Sequence, residues 1–306
     1  MVTTQHPNFI VPIGTQVVCN VDVKNGAGDV LFAKGVMGIV VKSPVDNTHA
    51  YRVRFMDETE LALFRRDFIP RKQFQNPLEP ANSLDDDLYQ KVIYRCITGS
   101  RAYGLDNEQS DTDLRGIYLP PAELQWSLYG VPDQLENDEK QECYWEIQKF
   151  ILLALKANPN ILECLYTPLV EYKTPLADEL LGLREIFLSK IIYQTYNGYV
   201  MSQFKRLQHH LENHGTIKWK HSMHLIRLLL SGIIALHESY IPVRVEAHRE
   251  QLLAIRNGQL PWAEVNKWRI QLHSEFDAAF QTTQLPDRPD YERANAFLVY
   301  ARRSAV

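Results

Sequence analysis

Cysteine is scarce in this chain of 306 residues: Cys19, Cys96, Cys143 and Cys164 lie far apart, and no C-x-x-C pair occurs. That spacing speaks against both a disulfide framework and a cysteine zinc site, and it fits a reducing, cytoplasmic setting. An excess of basic charge is missing too. The 33 Lys and Arg against 37 Asp and Glu leave a net charge of −4, which excludes a generally basic nucleic-acid coat protein. Any phosphate-binding surface must therefore be local. Long apolar runs are absent: the most apolar stretch, Leu225 to Leu236, carries Arg227, and the opening MVTTQHPNFIV has no charged segment leading into an apolar one. Neither a membrane span nor a secretion signal is expected. With 14 Gly, 16 Pro and no internal repeat, collagen-like and low-complexity classes fall away. What remains is an ordinary folded chain, long enough for two domains.

From Phe9 to about Arg71, short β-branched and aromatic runs alternate with turn residues: FIVPIGTQVVCNVDV, NGAGDVLFAKG, VMGIVVKS, AYRVRF and ELALFRRDF. Five strands at this spacing predict a small antiparallel, SH3-like barrel over residues 1–75, with turns at Asn25-Gly26, Lys34-Gly35 and Asp46-Asn47. Tyr51, Val53 and Phe55 alternate with Arg52 and Arg54, giving one buried and one wet face. Residues 76–90, with Pro77, Pro80 and the run Asp85 to Asp87, read as a linker. Strands KVIYRCIT, DTDLRGIYL and ECYWEI follow. Beyond residue 147 apolar residues recur at helical spacing, and Pro159, Pro175, Pro242, Pro261 and Pro286 fall between the segments, where helix boundaries are expected. Pro159 reads as a helix stop, with Asn160 capping the next helix. The fold class is thus α+β, strands first and helices after.

The informative segment is Thr98-Gly-Ser-Arg-Ala-Tyr-Gly-Leu105, followed by Ser110-Asp-Thr-Asp-Leu-Arg-Gly-Ile-Tyr118. On a strand, positions i and i+2 share a face, so Asp111 and Asp113 project together. Two such carboxylates suit magnesium or manganese, hard cations that complete their shell with water and nucleotide phosphates. Gly99 lets the backbone approach a phosphate, and Ser100 adds a hydroxyl. Alone, an Asp-x-Asp reads as a solvated turn and a Gly-Ser as an ordinary loop; their succession at the ends of two adjacent strands is what carries weight. Arg101 and Arg115 flank these strands, and their guanidinium forks suit phosphate oxygens. On a helix through Lys218 to Arg227, Lys220, His224 and Arg227 share one side, either as the opposite wall of a phosphate cleft or as an exposed polar face. Lys205 and Arg206, with Tyr196 and Tyr199 a few turns before, read either as a surface for a nucleic-acid strand or as a core helix with a solvated edge.

The Gly-Ser after a strand, with Asp-x-Asp about a dozen residues on, resembles the DNA polymerase β-like nucleotidyltransferase superfamily. More narrowly, GSRAYGL with SDTDLRGIYLPP, then EIQKFILLALKANPNILECLY, KHSMHLIRLLLSG and LLAIRNG, resembles the predicted nucleotidyltransferases associated with RNA ligases and RNA repair. The likeness runs from about Tyr94 into the C-terminal helices. Thr98 departs from it, since the superfamily more often has a bulky apolar residue there. The resemblance implies a polymerase-β-like mixed-sheet core over residues 91–175, with 176–306 a helical region completing the nucleotide and acceptor cleft. It also implies a third carboxylate on a neighbouring strand, for which Glu142 and Glu146 both qualify; Glu146 alternatively caps the helix that follows.

The function so implied is transfer of a nucleoside monophosphate from an NTP to an acceptor hydroxyl, an RNA end in repair or processing, with release of pyrophosphate. The rival expectations are a nucleotide-binding regulator without turnover and an enzyme that modifies a protein side chain. The barrel, which holds none of these motifs, is expected to serve acceptor or partner choice.

Overall fold

The computed structural model describes residues 10–24, 28–44, 46, 49–74, 87–108 and 110–306. The chain divides into two compact units, residues 1–79 and 80–306. In the first, strands β1 (Gln16–Cys19), β4 (Met37–Lys42), β5 (Tyr51–Phe55), β6 (Glu60–Leu63) and β7 (Phe68–Pro70) form an antiparallel sheet in the order β6-β5-β4-β1-β7. Strands β2 (Val23–Lys24) and β3 (Val30–Phe32) make a separate ribbon, whose Phe32 ring stacks on Phe55 at 3.8 Å. The expected alternation holds in β5: Tyr51, Val53 and Phe55 are buried, and Arg52 and Arg54 point out. The outward arginines meet Glu60, Arg54 Nη2 at 2.9 Å. The strands are antiparallel as expected, but the described residues form seven rather than five, because the first and last of the expected runs each break into two; no ladder joins the edges β6 and β7 among them, so the sheet is open rather than a closed barrel. A short helix α1 (Arg71–Phe74) ends this part. The Asn25-Gly26 turn, Asn47 and most of the 76–90 linker lie outside the described residues.

The second unit is built on a mixed five-stranded sheet of order β10-β11-β9-β8-β12, from β8 (Val92–Thr98), β9 (Asp113–Tyr118), β10 (Gln134–Asn137), β11 (Glu142–Glu146) and β12 (Val170–Lys173). Only β11 and β9 run parallel; the other neighbours are antiparallel. Between β8 and β9 sits the short helix α2 (Gly99–Tyr103), and after β9 the helix α3 (Ala122–Trp126). Gly116, in the middle of β9, has no alternative: a Cβ there would fall 1.9 Å from the carbonyl oxygen of Tyr94 on β8. The last glycine of the SDTDLRG segment therefore serves strand contact.

Helices α4 (Ile147–Leu155), α5 (Pro159–Tyr166) and α6 (Pro175–Gly182) follow the sheet. Helices α7 (Ile191–His214), α8 (Trp219–Glu238), α9 (Arg249–Arg256), α10 (Trp262–Thr282) and α11 (Tyr291–Arg303) complete the unit, all but α9 longer than those before them. Each of the five prolines falls at or between helix ends. The cap of α5 is two residues earlier than expected: Asn158, not Asn160, accepts from Asn160 N at 3.0 Å and Ile161 N at 3.3 Å, which leaves Pro159 at the first helical position, where its missing N–H costs nothing. One hydrophobic cluster runs from Tyr94, Cys96 and Ile117 on the sheet through Phe150, Ile161 and Leu229 to Phe276 on α10, so sheet and helices share a core. Among the described residues no helix is long and apolar enough to cross a membrane.

Candidate active site

Strand register decides which side chains share a face. Thr98 pairs with Asp113, Cys96 with Arg115 and Tyr94 with Ile117, so Asp113 and Arg115 project on the face covered by the helical core. At the end of β8 the chain turns sharply: Gly99 has φ +70°, and a Cβ on it would lie 2.4 Å from Asp113 Oδ2. Only glycine lets the backbone come so close to that carboxylate. Asp113 Oδ1 receives Arg115 Nη2 at 3.3 Å, and Arg115 Nη1 donates to the carbonyls of Leu114 and Gln141. Asp111 lies just before β9, is exposed, and makes no side-chain ion pair among the described residues. Arg101, a candidate phosphate ligand, instead donates through Nη2 to Ser110 O at 2.8 Å and through Nε to Asp111 O at 3.3 Å. It fastens the loop that presents the two aspartates.

A small hollow of about 150 Å³ opens here, lined by Thr98, Gly99 and Tyr103, by Asp113 and Arg115, and by Asn160 and Glu163 of α5. Glu163 was not singled out for chemistry in the sequence, yet it is the best-held side chain of the site. It is 2% exposed; the Tyr103 hydroxyl donates to its Oε2 at 2.6 Å, and Arg227 Nη2 to its Oε1 at 2.7 Å. The Arg227 guanidinium also lies 3.6 Å from the centre of the Tyr103 ring. Burial and the Glu163 carboxylate push the Tyr103 phenol well up, against the pull of Arg227, so it remains a proton donor. The signal available in the sequence was the burial of a lone acid within the apolar NILECLY, which demands partners.

The remaining candidates separate. In the parallel pair β9–β11, Glu142 sits beside Leu114 and Glu146 beside Tyr118, on the face opposite Asp113 and Arg115. The two acids do share a face, as their spacing requires, and it is the face turned away from Asp113. Glu142 neighbours Tyr144, whose phenol burial pushes up to about 12, with Arg95 opposing and Glu142 adding. Glu146 is the N-cap of α4, accepting from Gln148 N at 2.9 Å and Lys149 N at 3.4 Å, and it pairs with Arg302 of α11 at 2.6 Å. On α8, Lys220 is exposed; His224 packs edge-on against Tyr103 at 5.9 Å; Arg227 is 6% exposed and turned inward to Glu163. The His224 imidazole is pulled down to about 4 by burial and then by the positive charge of Arg227, Lys220, His221 and Arg256.

With this arrangement in view, the chain matches the RNA repair pathway DNA polymerase beta family over residues 71–300, most of its length. The chain belongs to that family. It is also 32% identical over 114 residues to YcgL of Bacillus subtilis, a stretch covering 36% of this chain and 44% of that protein. It is 27% identical over 157 residues to MJ0002 of Methanocaldococcus jannaschii, covering 49% of this chain and 63% of that protein. Both are described as uncharacterized. The matches thus span about half the length of these relatives. In this member of the RNA repair pathway DNA polymerase beta family, the matched region holds all of the second unit up to residue 300, the hollow included, and takes in α1.

Does a divalent cation fit? The donors are two carboxylates, hard oxygens of the kind magnesium takes, and glycine at 99 keeps the space over Asp113 Oδ2 free of side chain. No group of three or more His, Cys, Asp and Glu placed to hold a metal occurs among the described residues.

Proposed function

We propose that the chain is a magnesium-dependent nucleotidyltransferase that joins a nucleoside monophosphate from an NTP to an acceptor hydroxyl, an RNA end in repair or processing. The observation that carries this reading is the contact of Gly99 with Asp113: the phosphate-binding turn and the metal-binding carboxylate are built against each other, with no room for a side chain between.

The Gly99 backbone and the Ser100 hydroxyl hold triphosphate oxygens, and Asp111 and Asp113 hold magnesium or manganese. A cation bound there neutralises charge on the transferring phosphoryl group and favours the ionised acceptor. The acceptor oxygen forms the new bond to the α-phosphorus as the α–β bridging bond breaks; pyrophosphate departs and the hydroxyl proton is released. Arg115 orients Asp113, Arg101 fixes the Ser110–Asp111 loop, and the Tyr103–Glu163–Arg227 cluster ties α2 to α5 and α8. Phosphoryl transfer is mostly positioning and charge stabilisation, so fixed carboxylates on braced elements suffice. The test is transfer of label from each of four α-labelled NTPs, with and without magnesium, to RNA and to protein. Label on RNA supports the reading; label on protein alone moves the acceptor to a side chain.

A second reading, a nucleotide-binding regulator without turnover, draws on the position of Glu142 and Glu146 away from Asp113. Metal-dependent NTP binding with no pyrophosphate release would favour it.

A further inference from the structure

Apart from the Asp113 hollow, α7 and α10 enclose a groove of about 650 Å³, within the ~300–1,000 Å³ usual for ligand sites. Its floor is aromatic: Phe204 is buried and Trp262 half-buried, with ring centres 6.2 Å apart. Its walls are cationic, Lys205 from α7 and Arg269 from α10, and Arg206 lies on the adjoining surface of α7. None of these three makes an ion pair among the described residues. The carboxylate in the lining, Glu212, accepts from Gln208 Nε2 at 3.2 Å and neutralises none of them. Arg269 lies over the Phe204 ring at 5.0 Å and donates through Nε to Asn266 Oδ1 at 3.0 Å.

Burial alone lowers the pKa of the half-buried Arg269, the cost of partly desolvating a guanidinium that has no carboxylate partner among the described residues. Glu212, the carboxylate in the lining, forms no ion pair with it among the described residues. His221, whose Nε2 is 3.1 Å from Gln203 Oε1 of α7, is held below its ordinary value by burial, Lys218 and Arg206. What offsets these costs is an anion carrying a flat apolar face at each repeat, which is the chemistry of an unpaired nucleotide strand. A duplex hides its base faces, and an acidic peptide lacks them. We propose that this groove binds a single-stranded polynucleotide, a base stacked on Trp262 and phosphates on Lys205, Arg206 and Arg269.

Helix α8 packs between the helix that lines the groove and the reaction hollow. Along α8, His221 touches α7, His224 one turn later packs on Tyr103, and Arg227 reaches Glu163. On the nucleotidyltransferase reading, the strand held in the groove is the acceptor. That last step rests on the nucleotidyltransferase reading, whereas strand binding does not.

The experiment is fluorescence anisotropy of the full chain in EDTA, without NTP. The probes are labelled single strands of about twelve nucleotides, RNA and DNA, with the matching duplex and an acidic peptide. Either single strand binding more tightly than duplex and peptide satisfies the proposal. Three phosphate contacts give a slope of about −2 in log K against log salt, and Lys205→Ala and Arg206→Ala, both exposed, each flatten it by about 0.7. Trp262→Ala weakens binding roughly tenfold with the slope retained. Asp113→Asn binds as wild type, which separates this site from the catalytic reading. Duplex or peptide binding as tightly as the strand, no strand binding, or affinity and slope unmoved by Lys205→Ala with Arg206→Ala would overturn it.

Discussion

Gly99 is the position where the chemistry and the backbone make the same demand. A methyl group there meets Asp113 Oδ2 at 2.4 Å, and φ +70° strains any L residue by about 1–2 kcal/mol. Gly99→Ala should therefore lower metal-dependent nucleotide binding by more than about tenfold while melting only a few degrees below wild type. Titration calorimetry with Mg·ATP, beside a thermal melt, reads both, and unchanged nucleotide affinity would remove the cradle. His224 supplies a second residue-scale expectation. The folded chain holds its imidazole neutral down to about pH 4, whereas the unfolded chain takes up the proton near 6.5. Stability is full above pH 6.5 and lost as pH falls toward 4, by about 2 kcal/mol from this group at pH 5. His224→Gln should shrink the difference between urea unfolding at pH 7 and at pH 5. An equal difference in both proteins would place the acid sensitivity elsewhere.

At the scale of elements, the site is a joint among α2, α5 and α8 closed by one carboxylate. Glu163→Gln leaves Arg227 charged, buried and short of its counterion, and removing one partner of such a pair costs about 3–5 kcal/mol. Denaturant unfolding should show a loss of that size, and Glu163→Gln with Arg227→Met together should recover part of it. A single-variant loss below about 1 kcal/mol would mean the pair does not brace the joint. Much of this scale was legible beforehand. The three strands, the Gly-Ser turn, the aspartates and the proline-marked helix ends followed from local chemistry. Spacing gives the relative face of two residues on one strand, never which face of the sheet that is; the parallel register of β11 on β9 sets Glu142 and Glu146 away from Asp113. Glu163 stayed hidden because its partners, Tyr103 and Arg227, are 60 and 64 residues away. Likewise, alternation identified the strands of the first unit but not whether their edges meet.

On the scale of the whole molecule, the residues that line the hollow and its bracing cluster, among the described ones, all come from the second unit. A fragment spanning residues 80–306 should fold and bind Mg·NTP within about threefold of the full chain, a change worth less than about 0.7 kcal/mol. A folded fragment without nucleotide binding would show that the first unit completes the site. The most direct measurement is magnesium-dependent pyrophosphate release in the presence of RNA ends, by wild type and by Asp111→Asn and Asp113→Asn. Each variant should lose at least about a hundredfold in rate, the scale expected for removing one charge-stabilising group, with its melting temperature kept. Release by either variant at the wild-type rate, or none from a wild-type protein that still binds Mg·NTP, would contradict nucleotidyl transfer at Asp111 and Asp113.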